Sequence, residues 1–219
     1  MNRQLPKVCA FDFDGTLVDT MGGFALIAAE VLESHYGISL ERGRQLYLET
    51  SGIPFFQQLE IIRPGGEHNA ACAELFEARK LDGFFDAAPS DETREGLAML
   101  RQAGIRVVIS SNNFQHLVDA FLDRHALPVD LALGFVHGEL EKGGPHFEKI
   151  REVFGVESAE ILFCGDSLKD AERAIEAGTR FAGITGTFEH AQFEVRFPGV
   201  ETAGSILELA QRLLSATGM

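Results

Sequence analysis

The sequence predicts an α/β chain, a doubly wound parallel sheet interrupted after its first strand by a block of helices. Three observations carry this reading. Residues 8–11, Val-Cys-Ala-Phe, form a short apolar run between Pro6 and Gly15, the pattern of a strand buried on both faces. From Pro89 onward such runs alternate with segments of helical periodicity, which implies parallel strands joined by crossover helices. Between these parts, residues 20–87 carry helical spacing and no strand pattern. The expected organisation is a core of residues 1–19 and 88–219 with an inserted helical domain of residues 20–87.

In chain order, the first strand leads into Asp12 and Asp14. Strand residues two apart share a face, so both carboxylates are expected together at its C-terminal end. Two ionised carboxylates there repel unless a cation lies between them or one is protonated. Taken alone, the stretch also reads as a strand closed by an Asp-Gly turn. Phe24, Ile27, Ala28, Val31 and Leu32 then recur at helical spacing, with Gly37 as the stop. Further helices are expected over 40–49, 55–62 and 67–81, separated by the loop Thr50-Ser51-Gly52-Ile53-Pro54 and the break Pro64-Gly65-Gly66.

Asp91, Glu92 and Glu95 load the first turn of the next helix with negative charge, as a helix N-terminus favours, and Gly104 ends it. A strand at 105–109 runs into Ser110-Ser111-Asn112-Asn113, and Leu117, Val118, Phe121 and Leu122 mark the helix after it. A strand at 130–136 and a helix at 145–154, stopped by Gly155, follow. The strand at 159–164 closes on Gly165-Asp166, and the helix at 168–177 stops at Gly178. A strand at 180–184 and a helix at 206–214 complete the pattern.

Composition excludes several classes of function. A net charge of −14 argues against a surface for nucleic-acid phosphates. No apolar run reaches the length of a membrane span, and residues 1–7 lack a signal-peptide core. A cytoplasmic protein without nucleic-acid or membrane partners is expected; the sequence does not fix its oligomeric state. Cys9, Cys72 and Cys164 have no metal-ligand spacing and read as small buried hydrophobes in a reducing compartment. The 18 phenylalanines, with no tryptophan, read as core.

Ligands of doubly wound sheets bind at the carboxyl ends of the strands. Here those ends carry Asp12, Asp14, Ser111, Asn112 and Asp166. Asp170 lies four residues beyond Asp166, on the same face if a helix begins there, where like charges repel. By itself Asp170 reads as an ordinary first-turn acid. Four carboxylates on one sheet edge suit a hard divalent cation, and Mg²⁺ takes one or two carboxylates plus substrate phosphate and water. A lone lysine such as Lys142 reads as a solvated surface group, but beside an acidic metal site it becomes a partner for a transferring phosphoryl group.

Asp12-Phe13-Asp14-Gly15-Thr16, Ser111-Asn112, Lys142 ahead of Pro145, and Gly165-Asp166-x-x-x-Asp170 stand in the order and spacing of the four motifs of the haloacid dehalogenase-like hydrolases. The chain resembles that superfamily over nearly its whole length. The helical insertion looks like the small α-helical cap of its phosphoglycolate phosphatase-like and β-phosphoglucomutase-like branch, on a Rossmann-like core.

The resemblance implies a phosphoric monoester hydrolase that works through an aspartyl-phosphate. Asp12 would be the nucleophile, and Asp14 would protonate the leaving oxygen and then deprotonate water. Ser111, rather than its neighbour Ser110, would hydrogen-bond a phosphoryl oxygen. Asn112 would join it in binding the phosphate, and Lys142 would neutralise phosphoryl charge. Mg²⁺ would be held by Asp12, the backbone carbonyl of Asp14, Asp166, and Asp170 directly or through water. An acid at position 14 disfavours a dehalogenase, and Lys80, the only lysine of the insertion, reads as solvated, which disfavours a phosphonatase. The expected substrate is a small phosphorylated molecule. A phosphosugar mutase is the alternative within the same motifs. A non-enzymatic phospho-acceptor module is the alternative outside them, although two-component receivers are about half this length and lack a cap.

Overall fold

A computed structural model of the chain describes residues 4–215, so residues 1–3 and 216–219 of the expected core lie outside the described residues. The chain divides into two compact units, one formed by the chain up to Val18 and from Pro89 onward, the other by Asp19–Ala88.

The first unit is built on β1 (Val8–Phe11), whose four residues are fully buried. It pairs in parallel with β2 (Arg106–Phe114) on one side and β4 (Ile161–Gly165) on the other. With β3 (Leu131–Phe135), β5 (Arg180–Ile184) and β6 (Glu201–Ala203), the six strands lie in the order β3-β2-β1-β4-β5-β6, all parallel. The chain winds outward from β1 to β3, then crosses back to β4 and winds outward the other way. The reversal falls between β1 and β4, so the crevice that such sheets offer to ligands opens beyond Phe11 and Gly165. Val8, Ala10, Val108, Phe147, Ile150, Ile161 and Phe163 form one core cluster. Each fully buried phenylalanine contributes about 1.5–3 kcal/mol relative to exposure.

Local chemistry sets the element ends. Ser90 caps α5 (Asp91–Gln102) by accepting from Thr93 N–H at 3.0 Å, and Gly155 ends α7 (Gly144–Phe154) in the left-handed region at φ 63°. Elsewhere the sheet carries α6 (Gln115–His125), α8 (Leu168–Glu176), α9 (His190–Arg196) and α10 (Ile206–Ser215). Neither α9 nor β6 stands out in the sequence. A seven-residue helix and a three-residue edge strand are too short for periodicity to register. The Glu189/Gln192 capping box was the one available sign of α9. β4 begins at Ile161, later than the expected 159, because Ser158–Glu160 closes a 3₁₀ turn first.

The second unit is all-helical: α1 (Met21–Tyr36), α2 (Leu40–Glu49), α3 (Phe55–Ile62) and α4 (Asn69–Phe84). Phe24, Ala28, Leu32, Tyr47, Phe55 and Phe76 make its core, with the Phe55 and Phe76 rings 4.3 Å apart. At Gly43 a Cβ would lie 2.8 Å from Ala29 Cα, so glycine lets α1 and α2 approach. The loop after α2 is braced internally: Thr50 Oγ1 donates to Gln58 Oε1 at 2.9 Å, and Gln58 Nε2 donates to the Ile53 carbonyl at 3.0 Å. Lys80 is not solvated as its polar neighbours suggest. It is half-buried, with its ammonium 4.9 Å from the Phe24 ring centroid, because a long stem covers apolar surface while the charge meets a π-face.

Candidate active site

Asp12 follows directly on β1, with its N–H bonded to the Cys164 carbonyl at 2.8 Å. Asp166 follows directly on β4, and Ser167 caps α8 by accepting from Asp170 N–H at 3.1 Å. Asp170 therefore sits in the first turn of α8, while Asp166 precedes the helix. Gly165 makes room for this arrangement, since a Cβ there would lie 2.6 Å from Asp170 Oδ2. Oxygens of Asp12, Asp166 and Asp170 lie within 4.8 Å of one another, and all three residues are buried.

Lys142 lies in the loop between β3 and α7, followed by Gly143 at φ 116°, a conformation that favours glycine. It is only 6% exposed, and its ammonium is 2.7 Å from both Asp12 Oδ1 and Asp170 Oδ1. Arg173 adds a longer pairing to Asp170 Oδ1 at 3.8 Å. Three buried acids thus face two cations. Burial pushes the Asp12 carboxyl well above the usual carboxylate range, with Asp170 and Asp166 adding to the rise and Lys142 opposing it. Burial and the Asp170 charge lift Asp166 to about 7, against a hydrogen bond from Thr187. For Asp170, burial acts upward, but Lys142 and Arg173 outweigh it and hold the group low. A buried, all-oxygen set of three acids, two of them hard to ionise without a nearby cation, fits a hard divalent ion.

The carboxylate of Asp14 lies apart from this triad, half-buried, and its Oδ2 accepts from Asn113 Nδ2 at 2.8 Å. Period-two strand geometry does not carry this far, because β1 ends at Phe11 and the chain turns through the Asp14–Val18 bridge. Ser111, Asn112 and Asn113 belong to β2, which runs past the expected end at 109. Ser111 Oγ accepts from Asn113 N–H at 3.0 Å. Ser110 points elsewhere, into a bond of 2.8 Å with His146 Nδ1.

Sequence reasoning passed over Asn113, Arg173, Thr187 and His146. Arg173 was legible as an i,i+3 partner of Asp170. Thr187 gave no signal, since its partner lies 21 residues away.

His146 is fully buried. Its Nε2 lies 3.2 Å from the Gly134 carbonyl, an acceptor only, so Nε2 carries the proton and Nδ1 accepts from Ser110. Burial, assisted by the Lys142 and Arg173 charges, lowers its pKa from 6.5 to about 4, the Gly134 carbonyl acting the other way. The unfolded chain therefore binds this proton first, and stability falls as pH drops from about 6.5 toward 4. The expected loss attributable to this group is about 3 kcal/mol. Urea unfolding against pH should show the slope, and His146→Gln should flatten it; an unchanged slope would contradict the assignment.

A family model described as haloacid dehalogenase-like hydrolase matches residues 6–178. The phosphoglycolate phosphatase of Vibrio parahaemolyticus is 26% identical, over 88% of this chain and 89% of its own. That of Neisseria gonorrhoeae is 28% identical, over 84% and 83%. A solved structure from Clostridium acetobutylicum, described as a predicted phosphatase, superposes with a TM-score of 0.80 at 20% identity, covering 97% of this chain and all of the other.

Proposed function

The chain belongs to the haloacid dehalogenase-like hydrolases, and from that premise we propose that it is a Mg²⁺-dependent phosphatase hydrolysing a small phosphomonoester through an aspartyl-phosphate. The observation that carries this reading is the buried Lys142 ammonium, 2.7 Å from Asp12 and from Asp170, at a sheet edge where three buried acids meet two basic side chains. Such a site suits a dianionic ester only when a further cation joins it. Asp12, Asp166, Asp170 and the Asp14 carbonyl would hold Mg²⁺, which when bound supplies charge neutralisation for the phosphoryl oxygens.

The protein's own groups divide the remaining work. Asp12 Oδ1 accepts from the Phe13 N–H at 2.6 Å and from Lys142, so attack on phosphorus falls to Oδ2. Lys142 offsets charge on the nucleophile and on the phosphoryl group. Ser111 Oγ already accepts from Asn113 N–H, which leaves its own O–H to donate to a phosphoryl oxygen, with Asn112 beside it on the strand. As the ester P–O bond breaks, its electron pair goes to the leaving oxygen, which takes a proton from Asp14. Water then attacks phosphorus, returns a proton to Asp14, and the bond to Asp12 breaks back to the carboxylate.

Relatives named phosphoglycolate phosphatase make a short carboxylated ester the first substrate to try. The test is release of inorganic phosphate from 2-phosphoglycolate, sugar phosphates and p-nitrophenyl phosphate. Release with Mg²⁺ and none with chelator is expected. No release from any ester with Mg²⁺ present, or undiminished release in chelator, would overturn the reading.

A further inference from the structure

We propose that Asn113 is the positioning residue for Asp14, holding its carboxyl in a fixed orientation toward the leaving group; this rests on the phosphatase reading above. The argument begins in the sheet. The β2–β3 ladder pairs Ser110 with Leu133 and next pairs Phe114 with Phe135, so three residues of β2 bulge opposite Gly134 alone. The missing ladder bonds are replaced by one side chain. Gln115 Oε1 accepts from Gly134 N–H at 2.6 Å, and its Nε2 donates to the Ala132 carbonyl at 3.2 Å. Gly134 lets the bulge seat, because a Cβ there would fall 2.6 Å from Gln115 Cα and 2.8 Å from the Asn113 carbonyl. Within the bulge, Ser111 Oγ holds Asn113 N–H. The Asn113 side chain, 5% exposed, is thereby delivered to Asp14 Oδ2 at 2.8 Å.

An amide is a neutral donor, and one directed hydrogen bond from it fixes how the Asp14 carboxyl is turned. The proton that Asp14 gives leaves with the departing oxygen as the ester bond breaks, and one is regained from the attacking water.

A leaving group that is stable as an anion needs no such proton, and this separates positioning from mere structural support. The measured quantity is kcat/KM, which covers the steps up to loss of the first product. In Asn113→Ala, kcat/KM for an alkyl phosphate should fall about 30-fold, as partial loss of general-acid catalysis. For p-nitrophenyl phosphate it should stay within about threefold, since that ester departs unassisted. Asn113→Asp, which swaps the donor for a repelling carboxylate, should widen the gap. The p-nitrophenyl ester also reports folding of each variant in the same assay. An equal fall for both esters, or no fall for the alkyl ester, overturns the role of Asn113 and leaves the phosphatase reading standing. No turnover of either ester by the unaltered chain overturns both.

Discussion

Asp12→Asn is expected to end phosphate release from every ester while making the metal-free protein harder to unfold. Loss of a covalent nucleophile should cost about 10⁴-fold or more in kcat. The stability sign follows from the environment. A carboxyl whose folded pKa is raised destabilises the fold once ionised, and that cost is present at neutral pH. The amide removes the charge facing Asp166 and Asp170, and Lys142 keeps its 2.7 Å partner in Asp170. In chelator, a gain of about 1–2 kcal/mol in urea unfolding is expected, the usual direction when a functional charge is neutralised. Added Mg²⁺ should stabilise the parent by mass action and the variant much less. Residual turnover above the alkaline-blank rate would remove Asp12 as nucleophile, and a loss of stability in chelator would contradict the electrostatic account.

Lys142→Met carries the second large effect and the opposite stability sign. Removing the ammonium leaves Asp12 and Asp170 buried, with Arg173 still 3.8 Å from Asp170. Breaking a buried pair in this way costs about 3–5 kcal/mol, because the remaining charge is neither solvated nor matched. The double variant Lys142→Met/Asp170→Asn should recover much of that loss, and the non-additivity measures the coupling directly. Phosphate release should be lost in both. A single variant as stable as the parent would show that the pairing carries no structural weight.

The sheet was readable because its central strands are buried on both faces. Val8–Phe11 and Ile161–Gly165 are apolar runs closed by Asp12 and Asp166, and both the run and the closing acid are visible in one dimension. The parallel alternation then placed those acids at one edge. The bulge in β2 was not readable, since the run 110–113 looks the same whether it ends a strand or loops out of one. Its partners are tertiary: Asn113 meets a carboxylate 99 residues away, and Gln115 completes a ladder with β3. The edge strand Glu201–Ala203 escaped notice because only Ala203 is buried, so hydrophobicity had nothing to report. Residue type alone does not separate Ser110 from Ser111. One faces His146 and the other accepts from Asn113, a distinction set by strand parity.

The three unpaired thiols supply an internal reporter for each unit. Cys9 and Cys164 lie in adjoining strands of the sheet, Cys9 opposite Leu162 and Cys164 opposite Phe11, whereas Cys72 belongs to the helical unit, and all are buried with their thiols pushed up by burial. Alkylating reagents reach such groups only through opening of the surrounding structure. Mass spectrometry of timed labelling can therefore follow the opening of each unit separately in the natural sequence, with no engineered probe and no disturbance of the acidic cluster.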